Sequence, residues 1–192
     1  LWTSRKKEFI VSGNLYWSDY HHHPQREYGS SGFDMQYRWG SYQNIKYSLR
    51  HLDRFYLRHY INRDISNATM SSSAFTDHNQ SVTITQKMSH RDWFNLTVGF
   101  LQRYYERPFT EFNSDINYIR GKLNRRLINF GTVAFQFERG SANNITFGKT
   151  AKASALDRSY EMMEWYVPVR IKHKIPFVNE VGISVRRETR IY

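Results

Sequence analysis

Along most of this 192-residue chain, apolar and polar residues alternate with a period of two. Phe9, Val11, Gly13, Leu15 and Trp17 alternate with Glu8, Ser12, Asn14 and Ser18, interrupted by Ile10 and Tyr16. Phe33, Met35, Tyr37 and Trp39 alternate with Asp34, Gln36 and Arg38, and Ile45, Tyr47 and Leu49 with Lys46, Ser48 and Arg50. The pattern recurs at Val82, Ile84 and Met88, at Phe94 to Phe100, at Met163 to Ile171 and at Val181 to Val185. Successive side chains of a strand point to opposite faces, so each segment carries one apolar and one polar face. Strands are predicted over about 6–18, 29–39, 45–60, 78–88, 93–105, 113–122, 127–138, 160–174 and 179–192. Two are less regular. In 113–122, Ile116 and Tyr118 compete with Ile119. In 127–138, Ile128 and Phe130 hand over to Val133, Phe135 and Phe137, as at a bulge or register change. A single helical turn over 151–156 falls within a loop.

The connections alternate in length. Long ones fall near 19–28, 61–77, 106–112 and 139–159, and carry loop chemistry such as His21-His22-His23-Pro24, Ser71-Ser72-Ser73 and Gly140 to Asn144. Short ones centre on Gly40-Ser41, Ser89–Asp92, Asn124-Arg125 and Pro176–Asn179. Strict alternation puts every tight turn at one end of the sheet.

Composition narrows the setting. Aromatics make up 17% of the chain, which argues against disorder. No run approaches the roughly 18 apolar residues of a spanning helix. The mean hydropathy of −0.72 is the average of two unlike faces, and a transmembrane barrel keeps such a value low in the same way. Cysteine is absent, which excludes disulfides, thiolate metal sites and a thiol nucleophile. No apolar leader segment follows Leu1.

With period-two strands, alternating loops and aromatics near strand ends, the chain resembles a bacterial outer-membrane β-barrel. The end aromatics include Trp17, Trp39, Trp93 and Trp165, with Tyr20, Tyr28, Tyr42, Tyr104, Tyr105 and Tyr160. The likeness is architectural and covers nearly the whole chain. It implies an antiparallel up-and-down transmembrane barrel over 1–192, with these tryptophans at the membrane interfaces. It also implies an outer-membrane location, lipid with its anionic phosphates as a partner, and a role as a pore or as the embedded part of an export or surface assembly with other subunits. Nine strands depart from the usual even number, and Tyr192 is preceded on its own face by Arg190 and Glu188. The expectation is a partial barrel that continues beyond Tyr192, or a tenth strand near 145–153. The alternative is a soluble β-barrel binding module whose apolar stripes enclose a hydrophobic ligand. The two differ in which face is dry.

The formal charge of +11 needs a place. If the apolar face meets lipid, the polar face lines a lumen. Arg38, Lys46, Arg50, Lys87, Arg103, Arg170, Lys172 and Arg186 are the candidate lumen-lining cations, and they favour anions. Two other readings compete: pairing with acids such as Asp34, Glu164, Glu180 and Glu188, which plugs the lumen, and contact with lipid phosphates. A nucleic-acid platform needs aromatics and cations on one face. Here they tend to fall on opposite faces, as with Tyr37 and Arg38, so nucleic acid is not expected as a partner. His21, His22 and His23 read as a solvated loop, and the other histidines are scattered with no shared role. No G-x-S-x-G elbow, P-loop or dinucleotide fingerprint is present. No catalytic residue, metal or cofactor is expected.

Overall fold

The computed structural model describes residues 7–22, 27–61, 70–107, 109–127, 131–146, 159–171 and 181–191. They form nine strands: β1 Glu8–Ser18, β2 Tyr28–Gly40, β3 Gln43–Ile61, β4 Met70–Lys87, β5 Asp92–Tyr105, β6 Ser114–Leu127, β7 Gly131–Asn144, β8 Tyr160–Ile171 and β9 Val181–Ile191. Thr110–Phe112 adds one turn of 3-10 helix between β5 and β6. Each strand pairs antiparallel with the next, in chain order and without crossovers. β1 and β9 each have a single hydrogen-bonded neighbour, so the sheet is all-β, up-and-down and open.

The strand set is as the alternation predicts, but several boundaries move. β4 starts at Met70 rather than near 78, because β3 runs on past its apolar segment. Leu57 then lies opposite Ser73, and Tyr60 opposite Ser71, so the loop-like serines are drawn into the ladder. Asn124-Arg125 is not a turn. It lies within β6, opposite Trp93 and Asp92. Leu127 pairs with Gly131, so the change of parity in 127–138 marks the passage from one strand to the next. Gly140 to Asn144 continue β7 opposite β6. The register shifts fall instead in β3, between Leu52 and Phe55 and between Leu57 and Tyr60. At the first, Arg54 takes a left-handed φ of 52°, a conformation uncommon outside glycine. Ile145 and Thr146 form a turn. The rest of the suggested tenth strand, the helical turn at 151–156, Lys172 and the Pro176–Asn179 turn lie outside the described residues.

The sheet curls toward its polar side. Thr85, Ser114, Asn124, Glu138, Asn144 and Glu164 are buried, with Ala134 and Ala142, and all share the face that carries Asp34 and Arg50. The opposite face is open: Val98 is 54% exposed and Ile183 60%. Side chains on the polar face also reach past an intervening strand. The Tyr118 hydroxyl on β6 donates to Asn79 Oδ1 on β4 at 2.9 Å, crossing β5 above Gly99. A β-carbon at Gly99 would overlap the Tyr118 ring. At the turn end, Tyr42 stacks on Trp93 at 4.5 Å, and its hydroxyl accepts from Arg126 at 3.0 Å, again bridging over β4.

Gly99→Leu is expected to evict the Tyr118 ring and cost about 1–3 kcal/mol, as overpacking does. Gly121→Ala, where an added β-carbon has open space, is expected to raise stability by up to about 1 kcal/mol. Urea unfolding of the full chain in detergent micelles reads both shifts.

Candidate functional site

The polar face is the candidate site. The ladders carry Asp34, Gln36 and Arg38 of β2 against Ser48, Lys46 and Asn44 of β3, and those against Ser81, Thr83 and Thr85 of β4. Polar alternation in each strand therefore sums to one continuous polar surface. Its charges are organised as ion pairs between neighbouring strands. Arg38 pairs with Glu8 at 3.3 Å, and Asp34 with Arg50 at 2.7 Å and Lys46 at 3.2 Å. Arg103 holds Asp77 with two bonds of 2.7 and 2.8 Å. Arg120 pairs with Glu138 at 2.5 Å, and Arg186 with Glu164 at 2.6 Å. Glu138 and Glu164 are directly opposite each other, both buried, and each is capped by its own arginine. Bidentate arginine–carboxylate geometry is the strong form of this contact.

Of the predicted lumen cations, Arg38, Lys46, Arg50, Arg103 and Arg186 are thus paired. Lys87 lies opposite Trp93, and Arg170, opposite Thr132, is exposed. Lys172 lies outside the described residues. These pairs lie flat along the sheet, between adjacent strands, and do not reach across a channel. The sequence did not reveal Arg120, Glu138, Asp77 and Glu8 as members of these ion pairs. Arg120 and Glu138 were hidden by the irregular alternation near 113–138, and Asp77 by the late start given to β4. Cations still outnumber acids here: Lys87, Arg120, Lys122, Arg126, Arg170 and Arg190 lie on this face beyond those five, while its acids are Glu8, Asp34, Asp77, Glu138, Glu164 and Glu188.

An aromatic row crosses the loop end of the same face. Tyr16, Tyr28, Phe55, Phe75, Tyr105 and Phe112 follow one another with ring centroids 5.5–5.9 Å apart. Arg103 lies over the Phe75 ring at 4.5 Å. The segment after β5 folds onto this row with Phe109 only 3% exposed. Glu106 N donates to Ala74 O at 2.9 Å, and Thr146 Oγ1 to Thr110 O at 2.7 Å.

The other face is apolar over a band that begins at the short-turn end. The unbroken outward apolar run that begins there ends at Phe33 on β2, Leu49 on β3, Val82 on β4, Phe100 on β5, Ile119 on β6, Phe137 on β7, Met163 on β8 and Val185 on β9, and apolar residues recur further on at Ala74, Tyr104 and Ile191. Beyond these come Ser31, His51, Gln80, Gln102, Asn117, Arg139, Glu161 and Arg187. The row of directly paired residues that starts at Phe33 arrives on β9 at Ile191, six residues from Val185. The end of the run withdraws from this row unevenly: not at all on β3 and β5, by two residues on β4, β6 and β8, by four on β7 and by six on β9. Trp17, Trp39 and Trp165 belong to the apolar face, Trp165 against Phe137 at 4.6 Å. Trp93 instead lies on the polar face, stacked on Tyr42. Phe33, Met35 and Tyr37 are 37%, 38% and 39% exposed and face no core.

Asp77→Asn is expected to cost roughly 1–3 kcal/mol, because it weakens a charge-assisted pair and leaves the Arg103 guanidinium without its carboxylate. Replacing both, Asp77→Asn with Arg103→Leu, is expected to recover part of that loss, read from denaturation midpoints. Comparison with protein-family models, with curated proteins and with solved structures finds no match for this chain.

Proposed function

We propose that this chain is the membrane-embedded sheet of a bacterial outer-membrane β-barrel, with the apolar band against lipid and the polar face lining an aqueous lumen. The observation that carries the reading is the inside-out distribution: polar residues buried on the curled side, and a bounded apolar band outside. The unbroken run covers about 27 Å along β8, from Met163 to Ile171, about 20 Å along β2 and β5, and about 14 Å along β3, β6, β7 and β9. A membrane barrel carries an outward apolar band ~25 Å tall, on strands tilted by about 35–45°. Ring closure belongs to the same proposal, since an unpaired sheet edge in hydrocarbon leaves backbone groups unsatisfied. The excess of cations gives the lumen a positive potential, which suits a channel for anions. A soluble barrel with an apolar interior requires the opposite burial.

A second role, the embedded component of a larger export or surface assembly, is favoured by one observation. β1 and β9 run in the same direction, so a fully antiparallel ring takes an odd number of strands besides these nine.

The expected behaviour is extraction from membranes only with detergent. A chain that stays monodisperse without detergent overturns the membrane reading. Val98→Arg is expected to destabilise the protein by about 2–4 kcal/mol in vesicles. The same exposed site in a sheet facing water changes stability by only about 0.5 kcal/mol. In planar bilayers the reversal potential is expected to show anion preference, reduced by Lys87→Gln with Lys122→Gln.

A further inference from the structure

We propose that His51 and His78 form a binding site for one divalent first-row transition metal ion, copper or zinc, on the outward face just beyond the apolar band. The two residues are 27 positions apart in sequence, and the β3–β4 register sets them directly opposite each other. Their Nδ1 atoms are 3.1 Å apart and their ring centroids 4.4 Å apart. Without a metal, this contact takes one proton: one Nδ1 donates and the other accepts.

The same distance suits one metal ion. Imidazole nitrogens bind zinc at about 2.0–2.1 Å. Two of them at ~90–110° around one ion are therefore about 2.9–3.4 Å from each other. The nitrogen separation is already present, while the rings are stacked at 22° to each other, so binding requires each to turn about its broad ring torsion until both lone pairs meet the ion. Imidazole suits copper and zinc, and copper binds more tightly in the usual order of affinities. Water fills the remaining positions, since no group of three or more His, Cys, Asp or Glu is placed to hold an ion among the described residues.

The surroundings favour a hydrated cation. His51 lines a cleft on the outward side with Asp53, Ser31 and Trp17. The Asp53 carboxylate accepts from the Thr76 hydroxyl at 3.3 Å. Tyr104 stands edge-on to His78 at 6.4 Å. Lys and Arg are absent from the side chains flanking the pair on this face, Ser31, Leu49, Asp53, Gln80, Gln102 and Tyr104. When both Nδ1 atoms ligate the ion, the shared proton passes to Nε2 of its own ring; acid weakens binding because a protonated imidazole has no lone pair for the ion.

The test uses the full chain in detergent micelles, with His21, His22 and His23 changed to Ala to remove the loop imidazoles. Copper(II) and zinc(II) are each titrated by calorimetry, and the copper form is examined by electron paramagnetic resonance. The expected result is one ion per chain, with hyperfine splitting from two nitrogens. His51→Gln and His78→Gln, each keeping its circular dichroism spectrum, are each expected to weaken binding at least tenfold. Absence of stoichiometric binding in the starting chain, or binding unchanged by either variant, overturns the proposal. The outcome is independent of what covers the apolar band.

Discussion

Because strand side chains alternate between faces, a slip of one residue in any ladder exchanges the polar and apolar faces of every strand beyond it. The polar face shows how such slips are resisted. Thr83 and Thr97 are direct cross-strand partners joined through their hydroxyls at 2.9 Å. Asn95 donates to its partner Thr85 at 2.8 Å and accepts from Asn124 at 2.9 Å. Arg103 with Asp77, and Arg120 with Glu138, are likewise direct partners. A slipped register separates each of these pairs and moves a carboxylate or guanidinium onto the apolar side. Register here is specified twice, by the apolar band outside and by polar complementarity inside.

A sheet organised this way lacks the usual source of stability. Among the described residues, the buried apolar side chains are Ala74, Phe75, Phe109, Ala134 and Ala142. Burial of apolar area normally drives folding. In this protein that area lies on the outer face, so folding free energy depends on what covers it. The inner face contributes directionality instead. Ion pairs that are half-exposed stabilise modestly one by one, and their larger effect is to hold neighbouring strands in one relation. Gly99 acts in the same sense, since the space it leaves lets Tyr118 span β5 and sets the local curl.

The all-β antiparallel class, strand order and the apolar segments were legible because period two survives in a single sequence. Pairing between distant residues was not. Nothing local marks Ser71 to Ser73 as strand, since their state is decided by the extension of β3. His51 and His78 look unrelated until the register opposes them. The aromatic row from Tyr16 to Phe112 is equally invisible, because its members come from five strands and a loop. Trp93 shows a limit of end-of-strand reasoning: its position along the strand fits an interface aromatic, yet its parity, opposite Lys87 and Asn124, puts it inside. The candidate cations were found as residues, but their acids at Asp77 and Glu138 required correct strand limits.

The end of the apolar run has an electrostatic corollary. Asp34, Arg50, Arg120, Glu138, Glu164 and Arg186 each neighbour in sequence the residue that closes the unbroken outward run of their own strand: Phe33, Leu49, Ile119, Phe137, Met163 and Val185. Six charged groups on six strands therefore sit where the opposite face turns from apolar to polar, joined as Asp34 with Arg50, Arg120 with Glu138 and Glu164 with Arg186. On β4 and β5 the corresponding positions are Ser81 and Gly99, the latter under the Tyr118 ring. The two faces thus change character along the same line, and each ion pair marks, from the far side of the sheet, where the apolar run of its strands ends.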